Sequence, residues 1–180
     1  SALEAIGVDS LTAYVDTHAG WVERLYDNAL RFYPIEFEEH SNSPVDRRIT
    51  FMYGQLWELD QLNTETHETL HELFGVANIN CFEQLTEMLR VGHVVNSRGR
   101  EVYMPHLDRL AIPISFIHGA ENAAFIPEST KLTYDALTAE NGDLYTRHVI
   151  PKYGHIDCIF GKNAVTDVYP FILQHLEKTL

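Results

Sequence analysis

The sequence predicts an α/β fold whose parallel strands lie in the second half of the chain. A continuous apolar run over residues 112–117 is typical of a strand that is buried on both faces. After it come a helical pattern over 128–140 and a second strand over 144–150, which Pro151 ends. A last helix follows from about Val165, and strand–helix–strand–helix favours parallel pairing.

The first hundred residues are predicted to be mostly helical. Apolar side chains recur at helical spacing over residues 16–34, 63–75 and 82–92, and each of these segments ends near a Gly or Pro. Between residues 93 and 104, two Val-containing segments flank an Asn-Ser-Arg-Gly-Arg turn signal, which predicts a small hairpin. In the last helix of the chain, Pro170 is expected to mark the first turn or a kink.

We divide the chain into a helical region, residues 1–104, and an α/β region, residues 105–180. Two parallel strands are few, because a parallel sheet normally has several strands and is covered on both faces. The helical region offers no obvious further buried strand. Either its helices cover an unusually small sheet, or the rest of the sheet lies outside this chain.

Composition indicates a folded, acidic chain. The 180 residues include 13 Lys and Arg against 26 Asp and Glu, a formal net charge of −13, and 45% are hydrophobic. This charge argues against nucleic-acid binding, which neutralises phosphates with clustered cations. No apolar run reaches the roughly 18–20 residues of a membrane span, and no signal peptide is recognised. Two cysteines, Cys81 and Cys158, are too few for a disulfide framework, so we expect a cytoplasmic location.

Two polar loops follow the two predicted strands and carry the candidate catalytic residues. His155 lies just after the second strand, at the carboxyl end where ligands bind in α/β sheets. Glu121 and Asn122 lie just after the first strand. A carboxylate there, such as that of Glu121, would hold an imidazole in its working tautomer and stabilise its charged form. The alternative interpretation is a loop histidine and a polar turn without a catalytic role.

Residues 153–161 read Tyr-Gly-His-Ile-Asp-Cys-Ile-Phe-Gly, which resembles the histidine loop of acid-lipase-like members of the α/β-hydrolase family. In that fold the acid precedes the histidine in the chain, as these two loops do. Residues 105–161 also resemble the hydrolase part of bacterial proteins that join a GMC-type, cholesterol-oxidase-like flavin oxidoreductase to an α/β-hydrolase. The helical region resembles the lid over the hydrolase site. The resemblance implies a lid followed by the C-terminal part of an α/β-hydrolase core. It implies no cofactor for this chain, and FAD only in an attached oxidoreductase region.

The sequence departs from the family at two places. Asn122 occupies the family's acid position and carries no charge, so we take the neighbouring Glu121 as its substitute. No Gly-x-Ser-x-Gly nucleophile motif occurs in the 180 residues, and in the family that motif precedes the lid. The resemblance therefore implies a serine before residue 1, which would attack an apolar ester, lipid-like or sterol-like, with His155 as its base. The chain alone is then expected to be inactive.

Aromatic residues in the helical region are candidates for substrate contact. Phe51, Tyr53 and Trp57 could line an apolar pocket, although their spacing also fits packing within the lid.

Two other functional classes are open. A non-catalytic binding or oligomerisation domain would have its exposed sheet edge and apolar lid face covered by another subunit or a second copy. In the hydrolase hypothesis, the missing N-terminal part of the core or another chain would cover that edge. A zinc enzyme would use His67, Glu68 and His71, which form H-E-x-x-H: on a helix both imidazoles share a face, and Glu68 would act as base. A third ligand is required, and Glu83 or Glu87 on the next helix could serve. A polar helix face explains these residues more simply, so no metal site is predicted.

Overall fold

A computed structural model describes residues 10–12, 28–29, 32 and 44–179. In the helical region it contains α1 (Pro44–Tyr53), α2 (Thr64–Leu73) and α3 (Ile79–Val91), with a short 3-10 turn at Leu59–Gln61. The helices expected after residue 63 are therefore confirmed. The helix predicted over residues 16–34 lies almost entirely outside the described residues.

Local capping explains where α2 and α3 begin and end. The side-chain oxygen of Asn63 accepts a hydrogen bond from the backbone N–H of Thr66 at 2.8 Å, which caps α2. In the same way, the side-chain oxygen of Asn78 accepts from the backbone N–H of Asn80 at 2.8 Å and caps α3. Helix α3 ends at Gly92, whose φ of 86° is the left-handed conformation that glycine adopts readily.

The prediction of a hairpin near residues 93–104 is wrong, because these residues form no paired strands; only the predicted turn is present. The N–H of Asn96 donates to the carbonyl of Arg100 at 3.0 Å, and that of Gly99 donates to the carbonyl of Asn96 at 2.9 Å. The Asn96 side chain also accepts from the N–H of Arg98 and of Arg100, so it satisfies donors that a strand ladder would use. The chain then enters a 3-10 helix, Met104–Leu110.

A two-stranded antiparallel sheet was not expected from the sequence. Strand β1 (Ser10–Thr12) pairs with β2 (Val76–Asn78), and Leu11 lies opposite Ala77. Three-residue strands carry too short a pattern of alternation to be recognised.

The α/β region follows the predicted order. Strand β3 (Ile114–Gly119), helix α4 (Pro127–Asn141) and strand β4 (Tyr145–Ile150) form a parallel unit, with Ile114 opposite Tyr145 and Gly119 opposite Ile150. These are the only strands of this sheet among the described residues. The molecule is thus a mixed α/β structure with several helices and a small parallel sheet.

Three helices complete the chain: α5 (Asp157–Phe160), α6 (Ala164–Asp167) and α7 (Tyr169–Thr179). The predicted last helix is interrupted at Val168, and Pro170 lies in the first turn of α7, which confirms the expected kink. No helix in the described part of the chain is both long and apolar enough to cross a membrane.

Within residues 44–179, two buried apolar clusters support the fold, one in each region. Their members are Ile49, Leu56, Trp57, Leu62 and Leu70 in the helical region, and Ile150, Tyr153, Cys158, Ala164 and Val168 in the α/β region. Ala124 and Ile156 of the α/β region pack against the first cluster. Burial of such side chains stabilises by about 1.5–3 kcal/mol each. The helical region is therefore packed directly on the loops that follow β3 and β4.

Candidate functional site

The candidate site is formed by the two loops that follow β3 and β4. Because these strands are parallel, their carboxyl ends meet at one edge of the sheet. The backbone N–H of Ala120 donates to the carbonyl oxygen of Ile150 at 2.8 Å, and the backbone N–H of Glu121 donates to the carbonyl oxygen of Tyr153 at 2.9 Å. These bonds hold residues 119–125 beside the loop that carries His155.

Asn122 is the side chain that contacts the His155 ring. Its Nδ2 lies 3.0 Å from Nδ1 of His155. Its Oδ1 accepts hydrogen bonds from the backbone N–H of Ala124 at 3.1 Å and of Phe125 at 3.0 Å. The Asn122 residue is only 4% exposed, so this amide is held in a fixed place by the turn that follows it.

The backbone of His155 is fixed by the helical region. The carbonyl oxygen of Leu56 accepts from the N–H of His155 and from the N–H of Ile156, each at 2.8 Å. Further along, the Gln61 side chain donates to the carbonyl of Lys152 at 2.8 Å. The loop is therefore tied to a segment about a hundred residues earlier in the chain.

The surroundings of the His155 ring favour its neutral form. Burial lowers the pKa of His155, and the nearby His118 lowers it further, while the Asp157 carboxylate opposes both effects. The ring of Phe125 lies against it, with 5.4 Å between centroids. His118 is itself engaged, because its Nε2–H donates to the carbonyl of Phe125 at 2.7 Å.

Asp157 is a structural centre of the loop that the sequence did not reveal. Its Oδ2 accepts from the backbone N–H of Gly154 at 2.9 Å and from that of Glu58 at 3.1 Å. The residue is fully buried, and this burial raises the pKa of its carboxyl group, an effect that the backbone hydrogen bonds oppose. Its position at the start of α5, two residues after the histidine, was the one available signal.

A cavity of about 570 Å³ lies beside the His155 ring. This volume is in the range of small-molecule sites. Its walls combine polar and apolar side chains, including His118, Asn122, Phe125, His155, Ile159 and Ile172. A second, largely apolar cavity of about 610 Å³ lies between the 3-10 helix and α4, and Ser129 lines both.

The other predicted catalytic residue, Glu121, is placed differently from Asn122. Its side chain is exposed, and no hydrogen bond or ion pair joins it to His155 among the described residues. Cys158 lies in the buried cluster below the loop. Burial raises the pKa of its thiol to about 11, so it is protonated at neutral pH.

The three aromatic candidates for substrate contact lie in or on the helical region. Trp57 is buried in the apolar cluster of that region. Tyr53 contacts the rings of Phe74 and Phe82 at 5.7 and 5.8 Å, and Phe51 is partly exposed. None of the three lines either cavity described above, so their substrate contact stays a prediction.

The H-E-x-x-H residues all belong to α2. Nδ1 of His67 lies 3.4 Å from the Asp46 carboxylate, and its ring packs edge-on against Trp57. The side chain of His71 is outside the described part. Among the side chains that are described, no group of three His, Cys, Asp or Glu could hold a metal ion.

Comparison with models of known protein families, with curated proteins and with solved structures gave no significant match.

Proposed function

We propose that this chain forms the histidine-bearing part of an ester-hydrolase site of the α/β-hydrolase type. The contact between Asn122 and His155, 3.0 Å long, carries the proposal. The two side chains come from loops after consecutive parallel strands, and they line one cavity. The α/β-hydrolase fold places its acid and its histidine in that same chain order. The resemblance of residues 153–161 to the family's histidine loop supports the same assignment.

The proposed substrates are apolar esters, lipid-like or sterol-like. Apolar side chains such as Ile117, Ile159 and Ile172 in the wall of the cavity support this class. In this proposal the helical region acts as the lid, and its packing against the His155 loop supports that role. A flavin would bind only to an attached oxidoreductase region.

The nucleophile is proposed to be a serine that precedes residue 1 in a Gly-x-Ser-x-Gly turn. That serine would bond to the ester carbonyl carbon and displace the alcohol, which leaves with the serine's proton, while the His155 ring hydrogen-bonds the reacting groups. None of the serines in the printed sequence has these flanking glycines. Of the serines near the cavity, Ser115 lies within β3 and Ser129 within α4, and neither position is a strand-to-helix turn.

The test uses the longer coding sequence, including any upstream Gly-x-Ser-x-Gly. A fluorophosphonate probe should label that serine, and His155→Gln should slow the labelling by about tenfold, the effect of one lost hydrogen bond to the reacting group. His106→Gln changes an exposed histidine that does not line the cavity beside His155; it is the matched control and should leave the rate unchanged. Equal rates in wild type and His155→Gln, or an upstream sequence with no nucleophile, would overturn the proposal.

A second candidate function is a binding or oligomerisation domain, which the small sheet favours. Each strand of the β3–β4 pair has one edge with no further strand among the described residues. Unpaired edges of this kind promote association between chains. Light scattering over a range of concentrations tests it: a second copy at this edge predicts a concentration-dependent dimer, and a monomer at the highest concentration argues against it.

A further inference from the structure

We propose that Asn122 holds His155 in the neutral tautomer with its proton on Nε2, so that His155 donates a hydrogen bond to the carbonyl or carboxylate oxygen of an apolar acyl ligand. The ligand class rests on the proposed function. The tautomer rests only on the contacts around Asn122, and it can be tested without any ligand or nucleophile.

The orientation of the Asn122 amide is the first step. Two backbone N–H groups, from Ala124 and Phe125, point at one end of the amide at 3.1 and 3.0 Å. An oxygen accepts both bonds, whereas a flipped NH2 group would face two donors. The oxygen therefore occupies that end, and the NH2 group faces His155.

The state of the imidazole follows from that orientation. The Asn122 NH2 group can only donate, so Nδ1 of His155 must accept. A neutral imidazole that accepts at Nδ1 carries its proton on Nε2. Protonating the ring would place an N–H against the NH2 group, which disfavours the charged form. Of the charged or titratable groups near the ring, His118 opposes the charged form and Asp157 favours it.

A ring in this state serves as a donor. In a hydrolytic triad the acid accepts from Nδ1–H, which leaves Nε2 free to take a proton from the nucleophile. The amide reverses this arrangement, and replacement of the triad acid by Asn is known to lower kcat about 10⁴-fold through the wrong tautomer. A neutral imidazole can instead polarise a carbonyl through its remaining N–H. His155 lines the cavity, and Nε2 is the nitrogen that Asn122 leaves available.

The experiment is a long-range ¹H–¹⁵N spectrum of the 180-residue chain labelled at its histidines. His155→Gln identifies the His155 signals by their loss. Wild type should show a protonated Nε2 and an unprotonated Nδ1. Asn122→Asp keeps an oxygen for Ala124 and Phe125 but offers a second oxygen to the ring, so it should move the proton to Nδ1 and raise the pKa of His155. A protonated Nδ1 in wild type, or the same tautomer in both proteins, would overturn the assignment.

Asn122→Ala provides a second test in case the Asn122→Asp protein does not fold. It removes the amide without adding charge, and it should give a mixture of both tautomers at His155. Persistence of the pure Nε2–H form in this variant would show that Asn122 does not set it.

The donor role is tested with 2-heptanone, an apolar ketone that only accepts hydrogen bonds. Titration at a pH where the His155 ring is neutral in both proteins should shift its Nε2 signal in wild type, and Asn122→Asp should weaken binding about tenfold, the effect of one lost hydrogen bond. A confirmed tautomer with no response to the ketone would overturn the donor role. Success here together with a failed serine-labelling experiment would reject the hydrolase proposal alone.

Discussion

Gly119 and Gly154 approach so closely that a Cβ atom on Gly119 would lie 2.0 Å from the carbonyl oxygen of Gly154. Only a residue without a side chain fits at the end of β3. Gly154 is confined from its other side, because a Cβ there would lie 2.9 Å from the Cα of Trp57. The backbone of Gly154 is therefore packed between the end of β3 at Gly119 and the helical region at Trp57.

Gly119→Ala should therefore displace the histidine loop. The added methyl overlaps backbone atoms that cannot rotate away, and such overpacking costs about 1–3 kcal/mol or more. Thermal unfolding should show a lowered Tm, and the His155 signals should shift. Gly75→Ala is the control, since no atom of the described residues other than its chain neighbours lies within 4 Å of its added Cβ. A Gly119→Ala protein as stable as this control would contradict the close approach.

Asp157→Ala should destabilise the protein strongly. It leaves the backbone N–H groups of Gly154 and Glu58 without their acceptor, at about 1–3 kcal/mol for each buried group. Urea unfolding measures the free energy of unfolding. Asp135→Ala removes a carboxylate of an exposed ion pair with Lys131 and should cost less than about 1 kcal/mol. Equal losses in the two variants would argue against a supporting role for Asp157.

Stability should fall as the pH drops below about 6.5, and His155 should contribute to this fall. Its pKa is lowered in the folded state from the ordinary value of 6.5, so the unfolded chain binds the proton more readily. The stabilisation is thus present above pH 6.5 and is lost on acidification toward the folded pKa. Urea unfolding from pH 7.5 to 5 should show a shallower dependence for His155→Gln.

His148 adds to the same acid sensitivity. Its ring stacks on Phe171 at 4.3 Å, and burial and then Lys178 lower its pKa. The double variant His148→Gln, His155→Gln should be flatter with pH than either single variant. Curves that superimpose on wild type would contradict the lowered pKa values.

The two cysteines should differ sharply toward a thiol reagent. Cys81 is exposed, whereas Cys158 is buried and its pKa is raised to about 11, so almost no thiolate forms at neutral pH. Native protein should react rapidly at one thiol per chain, and the second should react only after unfolding. Cys81→Ser should abolish the rapid phase, and rapid reaction that survives this substitution would show that Cys158 is accessible.

The parts of the structure that the sequence predicts well are those set by local patterns. The apolar run before Gly119, the strand that Pro151 ends and the kink near Pro170 each depend on residues close together in the chain. The hairpin near residue 96 failed, because its turn is locally satisfied by one Asn side chain and does not need paired strands. Strands β1 and β2 were not predicted, because three residues are too few to show an alternation of apolar and polar side chains.

Chain order predicts that the two loops of the candidate site lie side by side, but it does not predict which side chain contacts His155. Glu121 was favoured because only a carboxylate supplies negative charge to the imidazole. The structure instead places the Asn122 side chain in hydrogen bonds with the backbone N–H of Ala124 and with the His155 ring. An Asn followed by a tight turn is a readable signal for this geometry. The bond between Glu58 and Asp157 spans 99 residues, and a single sequence does not encode such a pairing visibly.

The double acceptor role of the Leu56 carbonyl changes where this chain can be divided. Sequence patterns place a boundary at residue 104, yet a piece that began there would contain His155 without the group that binds its own backbone N–H and that of Ile156. A fragment that keeps both of these hydrogen bonds must therefore include Leu56. If residues 1–104 and 105–180 are supplied as separate polypeptides, His155 should adopt this arrangement only when the two polypeptides reassociate.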